Sequence, residues 1–215
     1  MKDIIMIGAG GHAKVVADII LQRKKKLKEK INLIGFLDDA YKNLKYKEIF
    51  GVPILGDLSK IKDFEEKNYE YLIAIGNNSI REKIAKKYNK LKYYIAIHPD
   101  SIIGMDVKIK DGTVIMANAV INSGSKIGEH VILNTSSVIE HDCIVNNYCH
   151  ISPNATLCGA IKVGSKTWVG ANSVVKQEMK IGENVTVGAG SVVIRNIGDN
   201  CIAVGNPAKK IKDKG

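Results

Sequence analysis

From Ile97 onward an aliphatic residue returns at every sixth position: Ile97, Ile103, Ile109, Ile115, Ile121, Ile127, Leu133, Ile139, Val145, Ile151, Leu157, Val163, Val169, Val175, Ile181, Val187 and Val193. Six residues advance an α-helix by about 600°, so a helix cannot keep this series on one face. A simple strand has period two and fails as well. An antiparallel β-sandwich predicts two-residue alternation with uneven spacing, and the series shows neither. Short strands joined by tight corners do fit, each unit forming one side of a triangular coil and three units closing a turn. The fourth position after each aliphatic residue is mostly small or apolar, as at Thr113, Ala119, Ser125, Val131, Ser137, Ala155, Thr167 and Ser173, and belongs near the corners. Glycine often follows the aliphatic residue directly, as in Ile127-Gly128, Val163-Gly164 and Val169-Gly170, where we expect the corner to need unusual torsions.

The first part of the chain has a different rhythm. Residues 4–7 read as a buried strand, and Gly8-Ala9-Gly10-Gly11-His12-Ala13 turns it into a helix with Val15, Val16, Ile19 and Ile20 on its apolar side. A second strand, 33–37, ends in Asp38-Asp39. A third, 71–75, ends in Gly76-Asn77-Asn78 before a helix bearing Ile80 and Ile84. This predicts a small Rossmann-like α/β domain over 1–95, with its ligand groove at the carboxyl edge of a parallel sheet. The coil is expected over 96–198 and a tail packing on the last coils over 199–215. Gly8-x-Gly10-x-x-Ala13 satisfies the dinucleotide fingerprint, but only half of a dinucleotide fold precedes the repeat. Free N–H groups at a glycine-rich helix start suit the phosphates of other nucleotides equally.

Composition narrows the classes. Low aromatic content (6%) with 20 glycines fits a core of small repeated layers. The net charge of +10 is nearly all lysine, scattered along the sequence without aromatic interleaving, which argues against nucleic-acid binding. No apolar run is long enough to span a bilayer and the N-terminus is unlike a secretory signal, so a cytoplasmic protein without membrane insertion is expected. Cys143, Cys149, Cys158 and Cys201 show no CxxC pairing and read as small core or face residues.

The motifs Gly-x-Gly-Gly-His-Ala, Phe36-Leu37-Asp38-Asp39 and Ile73-Ala74-Ile75-Gly76-Asn77-Asn78, placed before a hexapeptide coil, resemble the hexapeptide-repeat sugar acetyltransferases of the bacillosamine N-acetyltransferase and sialic acid O-acetyltransferase family. Gly205-Asn206-Pro207-Ala208-Lys209 resembles the segment that follows the last coil in these enzymes. The resemblance implies a left-handed parallel β-helix, a handedness that spacing cannot supply. It implies an acetyl-CoA-dependent N-acetyltransferase acting on a nucleotide-linked 4-amino-4,6-dideoxy sugar, a UDP-sugar foremost, in a homotrimer with sites between subunits. Acetyl transfer needs a base near neutrality, and histidine suits it. Of five histidines, His98 and His130 read as structural or solvated. His141 lies in Leu133-Asn134-Thr135-Ser136-Ser137-Val138-Ile139-Glu140-His141-Asp142, similar to the family's active-site segment, which makes it the general base with Asp142 beside it. Asp142 stands where these relatives have glutamate, and the shorter side chain puts that contact in question. The same resemblance assigns Gly10, Gly11, His12, Asp38, Asp39, Gly76 and Asn134 to the nucleotide sugar, and His150, Gly159, Ala171 and Ala189 to acetyl-CoA. No metal is required. Sugar O-acetylation is the nearest alternative, a zinc-dependent β-helical carbonic anhydrase needs three converging histidines, and a non-catalytic sugar-binding protein is the remaining class.

Overall fold

The computed structural model describes residues 1–64 and 68–214. Its N-terminal part is a five-stranded sheet of order β3-β4-β2-β1-β5, built from β1 (Lys2–Ile7), β2 (Ile31–Leu37), β3 (Glu48–Ile49), β4 (Val52–Gly56) and β5 (Glu70–Ile73). All pairings are parallel except β3 with β4. Ile4, Ile5, Met6 and Ile7 are wholly buried because both sheet faces are covered: Ile4 and Met6 enter one core, Ile5 and Ile7 another. The β3–β4 hairpin was not legible from periodicity, since Gly51 and Pro53 interrupt its apolar pattern.

Burial on the two helices corrects the face expected for the first and supplies one for the second. In α1 (Gly11–Lys26) the buried residues are Ala13, Val16, Ala17, Ile19 and Ile20, while Val15 is exposed. In α2 (Asn78–Lys87) the inward side is Asn78, Arg81 and Ala85, and Ile80 faces out. Helical spacing located the helices correctly, but the buried side of α2 is polar because it meets backbone carbonyls of the coil.

The coil is a left-handed parallel β-helix of three sheets. The second residue of each two-residue strand points inward and forms the aliphatic column, which joins the small corner residues in one core. Those corner positions are buried, and four of their hydroxyls are satisfied internally: Thr113, Ser125, Thr167 and Ser173 donate to the carbonyls of Gly128, Glu140, Gly182 and Gly188 at 2.7–2.9 Å, while that of Ser137 finds no partner. The left-handed torsions fall at the third position after each aliphatic residue, from Asp106 through Gly112, Asn118 and Asp142 to Gly190. This corrects the expectation for the glycines that follow the aliphatic column. They are small because the next coil passes close: a Cβ at Gly128 would lie 2.7 Å from the backbone nitrogen of Asn147, and one at Gly170 would lie 2.6 Å from that of Ala189.

The three outer faces carry different chemistry. On the first, Val114, Ile132 and His150 are buried beneath the N-terminal domain, and Trp168 emerges below it. On the second, the outward residues are Ile102, Val120, Val138, Thr156, Val174 and Val192, an almost unbroken aliphatic column. On the third they are Lys108, Lys126, Ile144, Lys162 and Lys180, stacked in register. Lysines scattered along the sequence are therefore gathered into a stripe, a correction to the sequence reading. The tail also does more than pack on the coil: Cys201–Val204 and Lys209–Asp213 continue the first sheet as two further strands.

Candidate active site

Three groups of sequence-predicted residues occupy three places. The first is the carboxyl edge of the N-terminal sheet, where a cavity of about 160 Å³ is lined by Gly8, Asp38, Asp39, Leu58, Ile75, Ile80 and Ile84. Asp38 is engaged in holding the loops, accepting from the backbone N–H of Ala9 and of Ala40 at 2.8 Å. Asp39 accepts from the N–H of Leu58 through one oxygen. The α1 helix starts at Gly10 with no side-chain cap and no acidic residue in its first turn, so its N–H groups are available to an anion. A Cβ at Gly10, Gly11 or Gly76 would meet nothing within 4 Å, and none of the three has a positive φ. Nothing inside the fold requires glycine there, as expected where a ligand approaches the backbone closely.

The second place is the junction between domain and coil. The rings of His12 and His150 are 6.3 Å apart, and His150 stacks on Trp168 at 5.3 Å. Asn134 accepts from the Thr135 N–H, which turns its Nδ2 toward Nε2 of His150 at 3.0 Å. Nε2 is then the acceptor and the ring proton sits on Nδ1. Burial, then Arg81, lowers the pKa of His12 to about 4. Burial, then Arg81 and His12, lowers that of His150 to about 3, with the Gly76 carbonyl opposing. Nε2 of His12 and Nδ1 of His150 are buried without a well-formed hydrogen bond, a cost that a polar ligand could remove. Below them a cavity of about 400 Å³ is lined by His150, Ser152, Pro153, Trp168, Ala171, Ala189 and neighbouring backbone.

The third place is a corner between the second and third faces. Nδ1 of His141 lies 2.9 Å from Oδ2 of Asp142, both side chains being exposed. The shorter aspartate does reach the imidazole. Asp142 occupies a left-handed corner, φ 59°, a conformation that aspartate tolerates better than most residues. Gly159 belongs here rather than with Ala171 and Ala189, stacked directly under the His141 ring. Neither of the two cavities above includes His141 in its lining.

His98 and His130 are structural. His98 accepts from the Asp100 N–H, and His130 is packed between Tyr93 and Tyr148 with its pKa lowered to about 4, by burial and then Arg81. Sequence reasoning gave Asn78 no role beyond its motif and passed over Arg81, Trp168 and Tyr46, whose hydroxyl donates to the Ala9 carbonyl at 2.6 Å. One signal was available: only three of the 32 basic residues are arginine, and two of them, Arg23 and Arg81, bond backbone carbonyls of the coil. Among the described residues no three His, Cys, Asp or Glu side chains are grouped to hold a metal ion, and no helix is long and apolar enough to cross a membrane.

Comparison with known proteins matches both parts of the chain. Residues 3–88 fit the PglD N-terminal domain, and residues 124–159 and 160–195 fit the bacterial transferase hexapeptide repeat. UDP-N-acetylbacillosamine N-acetyltransferase of Bacillus subtilis is 38% identical over 122 residues, 54% of this chain and 52% of that protein, so the match spans about half of that curated relative. Perosamine N-acetyltransferase from Caulobacter crescentus, solved as a histidine-to-asparagine mutant with CoA and GDP-perosamine, is 31% identical with a TM-score of 0.89, covering 99% of this chain and 98% of the other. The acetyltransferase domain of PglB from Neisseria gonorrhoeae, in complex with acetyl coenzyme A, is 33% identical with a TM-score of 0.88, covering 98% and 99%. With that identity sustained over nearly the whole length, the chain belongs to the hexapeptide-repeat sugar acetyltransferase family of the bacillosamine and perosamine N-acetyltransferases.

Proposed function

We propose that this protein transfers the acetyl group of acetyl-CoA to the amino group of a nucleotide-linked 4-amino-4,6-dideoxy sugar, in the cytoplasm, as a homotrimer. The observation that carries the reading is the His141–Asp142 pair seated on Gly159. With Nδ1–H given to the carboxylate, Nε2 keeps its lone pair and can take a proton from the sugar amine. The nitrogen attacks the thioester carbonyl, the C–S bond breaks, and the CoA thiolate leaves, taking the proton from the His141 imidazolium. Asp142 stabilises the imidazolium that forms in between.

The acceptor assignment is supported by the uncapped α1 start with open glycines at Gly10 and Gly11, where backbone N–H groups would hold the diphosphate. Asp39 lies on the nucleoside side, and His12, Asn134 and Gly76 lie toward the sugar. The acetyl-CoA assignment is supported by the fit of the 400 Å³ cavity, whose small residues Ala171 and Ala189 leave room for an extended arm beneath His150. A shared site is supported by the aliphatic second face, which offers self-association next to the exposed dyad. In this arrangement His141 of one copy serves the His150 cavity of the next. The relatives carry UDP- and GDP-linked sugars in their names, and a UDP-linked amine is the first acceptor to test.

The test is thiol release from acetyl-CoA with UDP-, dTDP- and GDP-linked 4-amino sugars, with sialic acid as the O-acceptor control. Turnover with an amino sugar and none with sialic acid is expected. Mixing inactive His141→Ala and His150→Ala proteins under subunit exchange should restore about a quarter of wild-type activity, since one site in four then pairs two intact contributors. No acetylation of any amino sugar overturns the reading.

A further inference from the structure

Among the described residues Arg81 is the largest wholly buried side chain. Its guanidinium touches six oxygens, divided between the two halves of the junction. On the N-terminal side are the carbonyls of Ile75 (2.9 Å) and Gly76 (3.2 Å) and Oδ1 of Asn78 (2.8 Å). On the coil side are the carbonyls of His130 (2.7 Å), Tyr148 (2.8 Å) and Cys149 (3.1 Å). Asn78 extends the clamp by donating to the carbonyls of Lys166 and Thr167 at 3.0 and 3.3 Å. One planar fork therefore grips the turn that contains Gly76 and, across the junction, the residue immediately before His150. Through Asn78 it reaches the residue immediately before Trp168.

The chemistry of this clamp is unusual for a purely stabilising contact. Among the described residues no carboxylate pairs with Arg81. Burying a cation with no carboxylate partner is a poor route to stability, and its desolvation is offset here only by bonds to main-chain and amide oxygens. Five N–H donors in a fixed plane can define both distance and angle between two backbone segments. Lysine, with three donors on one flexible point, cannot. In a chain whose basic residues are overwhelmingly lysine, this position requires the fork.

We propose that Arg81 is a positioning residue for acetyl transfer: it sets the Gly76 turn, and the acceptor resting on it, at a fixed distance and angle from the His150–Trp168 wall of the acetyl site. The inference rests on the function proposed above for the two sites. Its signature is a loss of alignment in the ternary complex with each substrate still binding separately. A misplacement of about 1 Å is enough to cost roughly 100-fold in rate. The positive charge also favours neutral His12 and His150 on either side, in keeping with rings that act as fixed hydrogen-bonding groups.

The experiment compares Arg81→Met, Arg81→Lys and Asn78→Ala in the full-length protein, by kcat, by calorimetric dissociation constants for CoA and for UDP, and by amide hydrogen exchange. Arg81→Met should lower kcat by about 30- to 100-fold, with both dissociation constants within about threefold of wild type. Arg81→Lys should recover part of the loss, and Asn78→Ala should show a smaller loss of the same kind. Amides of residues 76–79 and 149–151 should exchange at least about tenfold faster in Arg81→Met, with the lower coils unchanged. A folded Arg81→Met protein with wild-type kcat, or with wild-type exchange in both segments, overturns the proposal. If Arg81→Met does not fold, Asn78→Ala decides by the same measurements. If the wild-type protein acetylates no amino sugar, the proposed function fails, and wild-type or raised exchange at the two segments still decides whether Arg81 sets them.

Discussion

Gly159 carries the ring of His141: the two stack in successive coils, and a methyl group added at Gly159 would lie 2.5 Å from Nε2. The imidazole is thus aimed from two directions, by Asp142 at its side and by the bare backbone beneath. Replacing Gly159 with alanine should turn the exposed ring aside rather than disturb the coil, because a side chain yields more readily than stacked backbone. We expect kcat to fall by at least about tenfold while the melting temperature moves by only a few degrees. Unchanged kcat would show that the ring does not need this seat.

Asp142 combines a torsional and an electrostatic task. Asp142→Asn retains a residue suited to the left-handed corner and removes the charge that stabilises the imidazolium, so a loss of roughly 10- to 100-fold in kcat is expected with stability nearly unchanged. Asp142→Ala should lose similar activity and about 1 kcal/mol of stability as well. Steady-state kinetics beside urea denaturation separates the two effects.

The buried histidines make the fold sensitive to acid. His12 and His130 are held at about pKa 4 and His150 at about 3, all below the unfolded value near 6.5. Between those limits the unfolded chain binds more protons than the folded one, so stability rises with pH through the window and is lost as pH falls below about 6.5. At pH 5 the loss is on the order of 2 kcal/mol per histidine. His130→Gln should remove about a third of the difference between pH 7 and pH 5 in urea unfolding. An unaltered difference would mean that His130 titrates normally.

Two glycines of the coil should respond unequally to alanine, for different reasons. Gly170 faces the backbone of Ala189 with no room for a Cβ, whereas Gly190 has open space and a φ of +69°. Gly170→Ala should cost roughly 3 kcal/mol, because stacked backbones must separate. Gly190→Ala should cost about 1 kcal/mol of torsional strain. Equilibrium denaturation of the pair checks whether coil spacing or corner torsion is the stricter constraint.

The three faces allow a charge test of assembly. Val138→Asp on the aliphatic face should shift the protein toward smaller species in sedimentation and abolish most activity, since the dyad and the His150 cavity would then separate. Lys126→Asp on the lysine face should leave both unchanged. Loss of assembly in the second variant instead would move the interface to the third face.

Much of this was legible in the sequence because it is periodic. An aliphatic residue at every sixth position can serve few backbones, and the small residues at the corners follow from the same repeat. Asn134, His141 and Asp142 were singled out through a local segment whose likeness is contiguous. Other features were hidden by the same periodicity. Lys108, Lys126, Lys162 and Lys180 look scattered until coils of eighteen residues stack them in register. The grouping of Gly159 with His141, apart from Ala171 and Ala189, also depends on which coil lies beneath which corner.

The sequence by itself determined the coil, the α/β character of the domain before it and the identity of the general-base candidate, since each rests on spacing or on a short contiguous motif. Only the tertiary structure decided how the two halves meet. Arg81 stands on a helix that the sequence marked only by Ile80 and Ile84, yet it is Arg81 that is wholly buried, against carbonyls 49 to 68 residues further along. Backbone carbonyls leave no trace in side-chain patterning, so a cation whose partners are all main chain cannot be recognised until the fold brings them together.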